Sequence, residues 1–243
     1  MKKILALAVA AAMAMSMTAC SGGSGDTQTD ASQGTEASQD SEASQESGAS
    51  QDGETYTVGI CQLVQHVALD AATEGFMDAI KEQLGEENVT FDLQNAQGDS
   101  NTCSTIINSF VSEDVDLILA NATAALQAAQ AGTNEIPVLG TSVTEYGVAL
   151  GIDDFNGTVG GNISGTSDLA PLDEQAAMLN ELFPDAKNVG LLYCSAEANS
   201  QYQVDTVKAA LEEMGYSCEY YAFSDSNDLA TIATNAANAC DVI

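Results

Sequence analysis

Arginine and tryptophan are absent from the 243-residue sequence, and five lysines stand against 36 acidic residues, giving a formal net charge of −31. A chain without a basic face cannot neutralise phosphates, which excludes nucleic acid as a partner. The lack of indole, with aromatics at 5%, weakens any reading that needs a platform for stacking sugars or bases. A single histidine, His66, cannot supply a metal cluster, and no G-x-S-x-G elbow, phosphate loop or H-E-x-x-H motif is present. The chain is therefore read as a non-enzyme with no cofactor and no metal. Six cysteines are too sparse for a disulfide scaffold. The five after Cys20, namely Cys61, Cys103, Cys194, Cys218 and Cys240, contain no C-x-x-C pair, and their odd number argues against full pairing. Buried free thiols are the ordinary reading, with Cys61 and Cys194 at or beside matching strand ends.

Hydrophobic residues make up 45% of the chain, enough for a packed core. The beginning reads differently. Met1-Lys2-Lys3 is a short basic start, 4–15 is an apolar run, and Met17-Thr18-Ala19-Cys20 closes it with small residues. That anatomy is a secretion signal, too short for a permanent span of about 20 apolar residues. A small residue directly before Cys20 resembles the bacterial lipobox, which implies a lipid on Cys20 and attachment to the membrane through it. The alternative is an ordinary signal whose cysteine is incidental. Residues 21–55 repeat Ser, Gln, Ala and acids with almost nothing to bury, and read as a disordered tether. From Tyr56 onward 28 acids face three lysines, an acidic domain of the kind that stays soluble after export.

From Tyr56 strand and helix alternate. Strands are expected over 56–61, 89–94, 116–121, 137–141 and 147–152. Helices are expected over 69–84, from Asp99-Ser100 through Val111, and over 122–131 up to Gly132. The run 116–121 is apolar throughout, as in a strand buried on both faces. Successive βαβ units imply parallel sheets with right-handed crossovers. An internal repeat then doubles the pattern. Val58-Gly59-Ile60 recurs as Val189-Gly190-Leu191, Leu84-Gly85 as Met214-Gly215, Asp99-Ser100-Asn101 as Asp225-Ser226-Asn227, and Asp116-Leu117-Ile118 as Asp241-Val242-Ile243. The separations are 131, 130, 126 and 125 positions, which reads as two copies of one α/β lobe. Lobe 1 is placed at 56–165 and lobe 2 at 166–243, with the Gly-, Asn-, Ser- and Thr-rich stretch 151–168 as the crossing. The second copy stops where the first has a buried strand, so a fragment with an incomplete second lobe is expected.

Six ordered motifs carry a resemblance. They are Gln65-His66-Val67-Ala68-Leu69-Asp70, Asn95-Ala96-Gln97-Gly98-Asp99, Val115-Asp116-Leu117-Ile118-Leu119-Ala120, Ser142-Val143-Thr144, Gly165-Thr166-Ser167-Asp168 and Ser195-Ala196-Glu197-Ala198-Asn199-Ser200. Together they resemble the ABC-transporter substrate-binding lipoproteins of the tryptophan-type group, built on the periplasmic-binding-protein type I fold. The resemblance runs over 56–243 and lacks the family's C-terminal third. It implies two Rossmann-like lobes, a small solute held between them, and delivery to an ABC permease with its ATPase. The solute class it favours is the amino acids, aromatic ones included.

In open parallel sheets ligands sit beyond the carboxyl ends of strands. With no arginine, and with Lys81, Lys187 and Lys208 placed elsewhere, a ligand carboxylate would rest on helix N-termini and hydroxyls. The candidates are Thr123, Ser142, Thr144, Asn199 and Ser200, with Gln65, His66, Asp70 and Ser167 on the same motif loops. Asp168 and Glu197 are the candidate acids for an amino group. Each has a local alternative: His66 as a helix cap, Asp70 as an acid favouring the helix dipole, 197–200 as a capping segment, Ser100 and Ser226 as caps. A sensory or adhesive surface lipoprotein with the same fold is the competing function.

Overall fold

The structure, a computed structural model, describes residues 54–243. The signal at 1–20, the lipid site Cys20 and the tether up to residue 53 lie outside the described residues. Among those described, no helix is long and apolar enough to cross a membrane.

The chain builds β1 (Tyr56–Gln62), α1 (Val67–Leu84), a short 3-10 turn (Glu86–Asn88), β2 (Val89–Asn95), α2 (Ser100–Ser112), β3 (Leu117–Asn121), α3 (Thr123–Gly132) and β4 (Val138–Val143). It continues through α4 (Tyr146–Leu150), β5 (Ile163–Ser167), α5 (Leu172–Leu182), β6 (Asn188–Cys194), α6 (Ala198–Glu213), β7 (Ser217–Phe223) and α7 (Ser226–Ala239). Strands 1 to 5 form one sheet in the order β2-β1-β3-β4-β5, every pair parallel. All five residues of β3 are buried, as a central strand covered on both faces requires. Side chains alternate across β1. Gly59 faces α2, where an added Cβ would lie 2.7 Å from the Phe110 ring, while Gln62 on the other face bonds to α1. One glycine thus sets the close approach of α2, and helices cover both faces.

The second sheet pairs β6 with β7 in parallel. Val242 adds a parallel bridge to Val189 on the other side of β6, just as β3 flanks β1 opposite β2. A small core of Ala176, Val189, Leu191, Leu211, Tyr216 and Cys218 lies under it. The repeat extends to hydrogen bonds. Asp116 N donates to Thr57 O at 2.8 Å, and Thr57 N returns a bond to Asp116 Oδ2 at 2.9 Å. Asp241 makes the same pair with Asn188, at 2.9 Å each way. One aspartate therefore locks the start of the third strand to the first in both copies.

Three expectations change. Residues 147–152 do not form a strand: the Glu145 carboxylate accepts from Gly147 N and Val148 N at 3.0 and 2.6 Å, and a left-handed Gly151 closes the turn, so the segment is the one-turn helix α4. The strand lies instead at β5, inside the stretch 151–168 read as the crossing. The helix caps are Asp99 and Asp225, which accept from Thr102 N and Asn227 N at 2.7 Å each; Ser100 and Ser226 are the first helical residues.

Candidate functional site

The loops that follow β1, β3, β4 and β5 gather at the carboxyl edge of the first sheet. Leu63 N bonds Asn121 O, Ala122 N bonds Thr141 O, and Asp168 N bonds Val143 O, at 3.0–3.1 Å. At the centre of this edge stands the start of α3. Ala122 has φ 96° and ψ 160°, a region almost reserved for glycine, and offers no side-chain cap to the helix behind it. The first N–H groups of α3 therefore have no intrahelical acceptor and carry the positive end of its dipole. Thr123 is 6% exposed, and its hydroxyl makes no hydrogen bond among the described residues.

Next to it, β4 slips register between Gly140 and Val143 with Ser142 at φ 55°. This bulge turns the strand end toward the edge. Thr144 is 9% exposed and its hydroxyl is likewise unpaired among the described residues, while its carbonyl accepts from Ser167 Oγ at 2.9 Å. Asp168 follows and is exposed. Thr123, Ser142, Thr144, Ser167 and Asp168 are thus brought together by adjacent strands. Behind them Tyr146 is buried and donates its hydroxyl to Thr166 O at 3.3 Å. Burial, and secondarily the charge of Asp168, push the Tyr146 phenol up to about 12.

On the other side of the edge, Gln65 is exposed. His66 caps α1, its Nδ1 accepting from Ala68 N at 3.2 Å. Asp70 accepts from Gln62 Nε2 at 2.6 Å, so both residues hold the helix start. The bond to Gln62 opens onto a relay that sequence reasoning missed. Thr73 Oγ1 donates to Gln62 Oε1 at 2.7 Å, and Asn121 Nδ2 donates to Thr73 Oγ1 and to Leu69 O at 2.9 Å each. Asn121 is fully buried, and its Oδ1 has no partner among the described residues. The available signal was a polar residue closing each of two otherwise apolar runs, 58–62 and 117–121.

Glu197, Asn199 and Ser200 stand apart, on the second sheet at the start of α6. Ser200 Oγ donates to Glu197 Oε2 at 3.1 Å, and Asn199 O accepts from Gln203 Nε2 at 3.3 Å. Among the described residues no hydrogen bond joins this trio to the first-sheet group, although α4 packs against α6. A shallow depression of about 410 Å³ lies beside α4, lined by Glu145, Val148, Asp153, Asp154 and Phe155 among others. It contains none of the expected ligand residues. Among the described residues no group of three or more His, Cys, Asp and Glu side chains is placed to hold a metal.

A doubly wound first sheet and a second sheet repeating its opening topology define an α/β fold built from two parallel sheets. The chain belongs to the ABC transporter substrate binding protein family, whose family model matches residues 57–243. It is 35% identical over 188 residues to a tyrosine-binding protein of Clostridioides difficile, covering 76% of this chain and 54% of that one. The crystal structure of an ABC domain in complex with L-Trp from Streptococcus pneumoniae is 30% identical with a TM-score of 0.72, over 78% of this chain and 65% of that one. The ligand-free, open structure of a Clostridium difficile substrate-binding protein with adhesive properties is 36% identical with a TM-score of 0.54, over 74% and 62%. The chain therefore spans between about half and two thirds of the length of these relatives. The fold is the periplasmic-binding-protein type I α/β fold.

Proposed function

We propose that the protein is an extracytoplasmic, lipid-anchored receptor of an ABC importer that captures an amino acid, aromatic in the first instance, and passes it to a permease with its ATPase. The observation that carries this is Thr123, a mostly buried residue at an uncapped helix start whose hydroxyl makes no hydrogen bond among the described residues. Hydroxyl and backbone N–H together suit a carboxylate. Thr144 and Ser142 extend the donor set, and Asp168 supplies an exposed acid for the ligand ammonium. Glu197, Asn199 and Ser200 would meet the ligand from the second lobe on closure. The tyrosine-binding relative and the L-Trp complex support the ligand class.

The test is thermal denaturation of the full chain against the amino acids, with sugars and nucleosides as controls. Aromatic amino acids are expected to raise Tm, by an amount that grows with ligand concentration, and Thr123→Val to weaken binding roughly tenfold. No response to any amino acid overturns the reading. The adhesive property of one relative favours a second reading, a surface adhesin, which binding to host-cell surfaces without any amino-acid response would support.

A further inference from the structure

We propose that Cys61 and Cys103 are a disulfide-forming pair that staples β1 to the first turns of α2. The placement follows from two periodicities anchored at one contact. Gly59 on β1 lies under the Phe110 ring of α2. Two residues further along β1, Cys61 returns to the same face about 7 Å on. Seven residues back along α2, two helical turns or about 10 Å, Cys103 returns to the face of Phe110. Strand and crossover helix run in opposite directions, so both steps lead to the same place. Cys61 and Cys103 are each 0% exposed and belong to one core cluster with Phe110. Both thiols are free in this structure, and each is the first cause of the shift in the other's titration. Cys240 by contrast turns its sulfur to the Tyr221 hydroxyl at 3.5 Å.

The pair is also chemically asymmetric. The hydrogen bond from Cys61 pulls the Cys103 thiol below its ordinary value, while the same contact, then burial, pushes Cys61 up. In the closed fold Cys103 is thus the more acidic thiol of the pair. Before α2 closes on β1, while both thiols are still in water, the Cys103 thiolate attacks an external disulfide of the glutathione class, forming a mixed disulfide and releasing one glutathione thiolate. Cys61, deprotonated, then attacks the Cys103 sulfur and expels the second glutathione. The two protein thiols give up two electrons and two protons, and the glutathione disulfide leaves as two thiols. The bond fixes the start of α2, and with it the loop after β2, to the strand that opens the site. This inference does not depend on the ligand assignment.

The full chain, reduced in guanidine and refolded in a buffer of oxidised and reduced glutathione, is alkylated with iodoacetamide in guanidine without reductant and mapped by mass spectrometry after digestion at acidic residues. Peptides containing Cys61 and Cys103 are expected as one cross-linked, unalkylated species, with Cys194, Cys218 and Cys240 alkylated. The refolded protein should melt roughly 5–10 °C above the same sample treated with dithiothreitol, and this sensitivity should vanish in Cys103→Ala. Alkylation of both Cys61 and Cys103 in the refolded wild type, or their linkage to other cysteines, overturns the proposal; the wild-type map decides even where a variant fails to fold.

Discussion

Ala122 is the residue at which backbone strain meets the uncapped start of α3. Its Cβ is held at φ 96° and ψ 160°, a conformation that costs a non-glycine residue roughly 1–3 kcal/mol. The surroundings enforce it, because Ala122 N is bonded to Thr141 O and Ala122 O to Leu126 N. Ala122→Gly removes the steric cost, partly offset by the added freedom of the unfolded chain, and is expected to stabilise the protein by about 1 kcal/mol in urea denaturation. An unchanged or lowered midpoint would sink this account. Thr123 and Thr144 were picked out in the sequence because each follows an expected strand; Asp168 came from the motif Gly165-Thr166-Ser167-Asp168, and Ser142 proves to lie within β4. The relay through Gln62, Thr73 and Asn121 was not legible, since its members join residues up to 59 positions apart and a lone amide beside apolar neighbours announces no partner.

At the scale of elements, the repeated aspartates carry the fold's most regular device. The N–H groups of Asn188 and then Lys187 hold the Asp241 carboxyl below its ordinary 3.8, and Thr102 does the same for Asp99 at the cap of α2. A folded-state value below the unfolded one means stability that is fully present above pH ~4 and lost as pH falls through the folded-state values. Calorimetry from pH 5 downward should therefore show Tm falling, with a shallower slope in Asp241→Asn; an identical slope refutes the link. Spacing in the sequence revealed these aspartates as a repeat without revealing what they bond. Helix α4 was misread for a comparable reason. Five residues show too little periodicity to separate helix from strand, and the deciding bonds come from the side chain of Glu145, outside the run.

Across the whole molecule, charge outweighs pairing. Against a net charge of −31, Lys208 with Glu212 is the ion pair seen among the described residues, an exposed i,i+4 contact of small value. Repulsion between like charges is expected to dominate the salt response, so raising sodium chloride from 10 mM to 0.5 M should lift Tm by roughly 2–5 °C; a fall in Tm would show that attractive pairs prevail. By itself the sequence determined the α/β class, the parallel sheets and the doubling of one topology. Those properties follow from local periodicity and spacing along the chain. Only the tertiary structure decided that Ala122 is strained, that His66 is occupied as a cap, that the Thr123 and Thr144 hydroxyls have no partner among the described residues, and that Cys61 lies against Cys103. Each of these depends on which distant strand or helix comes to rest beside the residue, and that follows from packing, not from its neighbours in sequence.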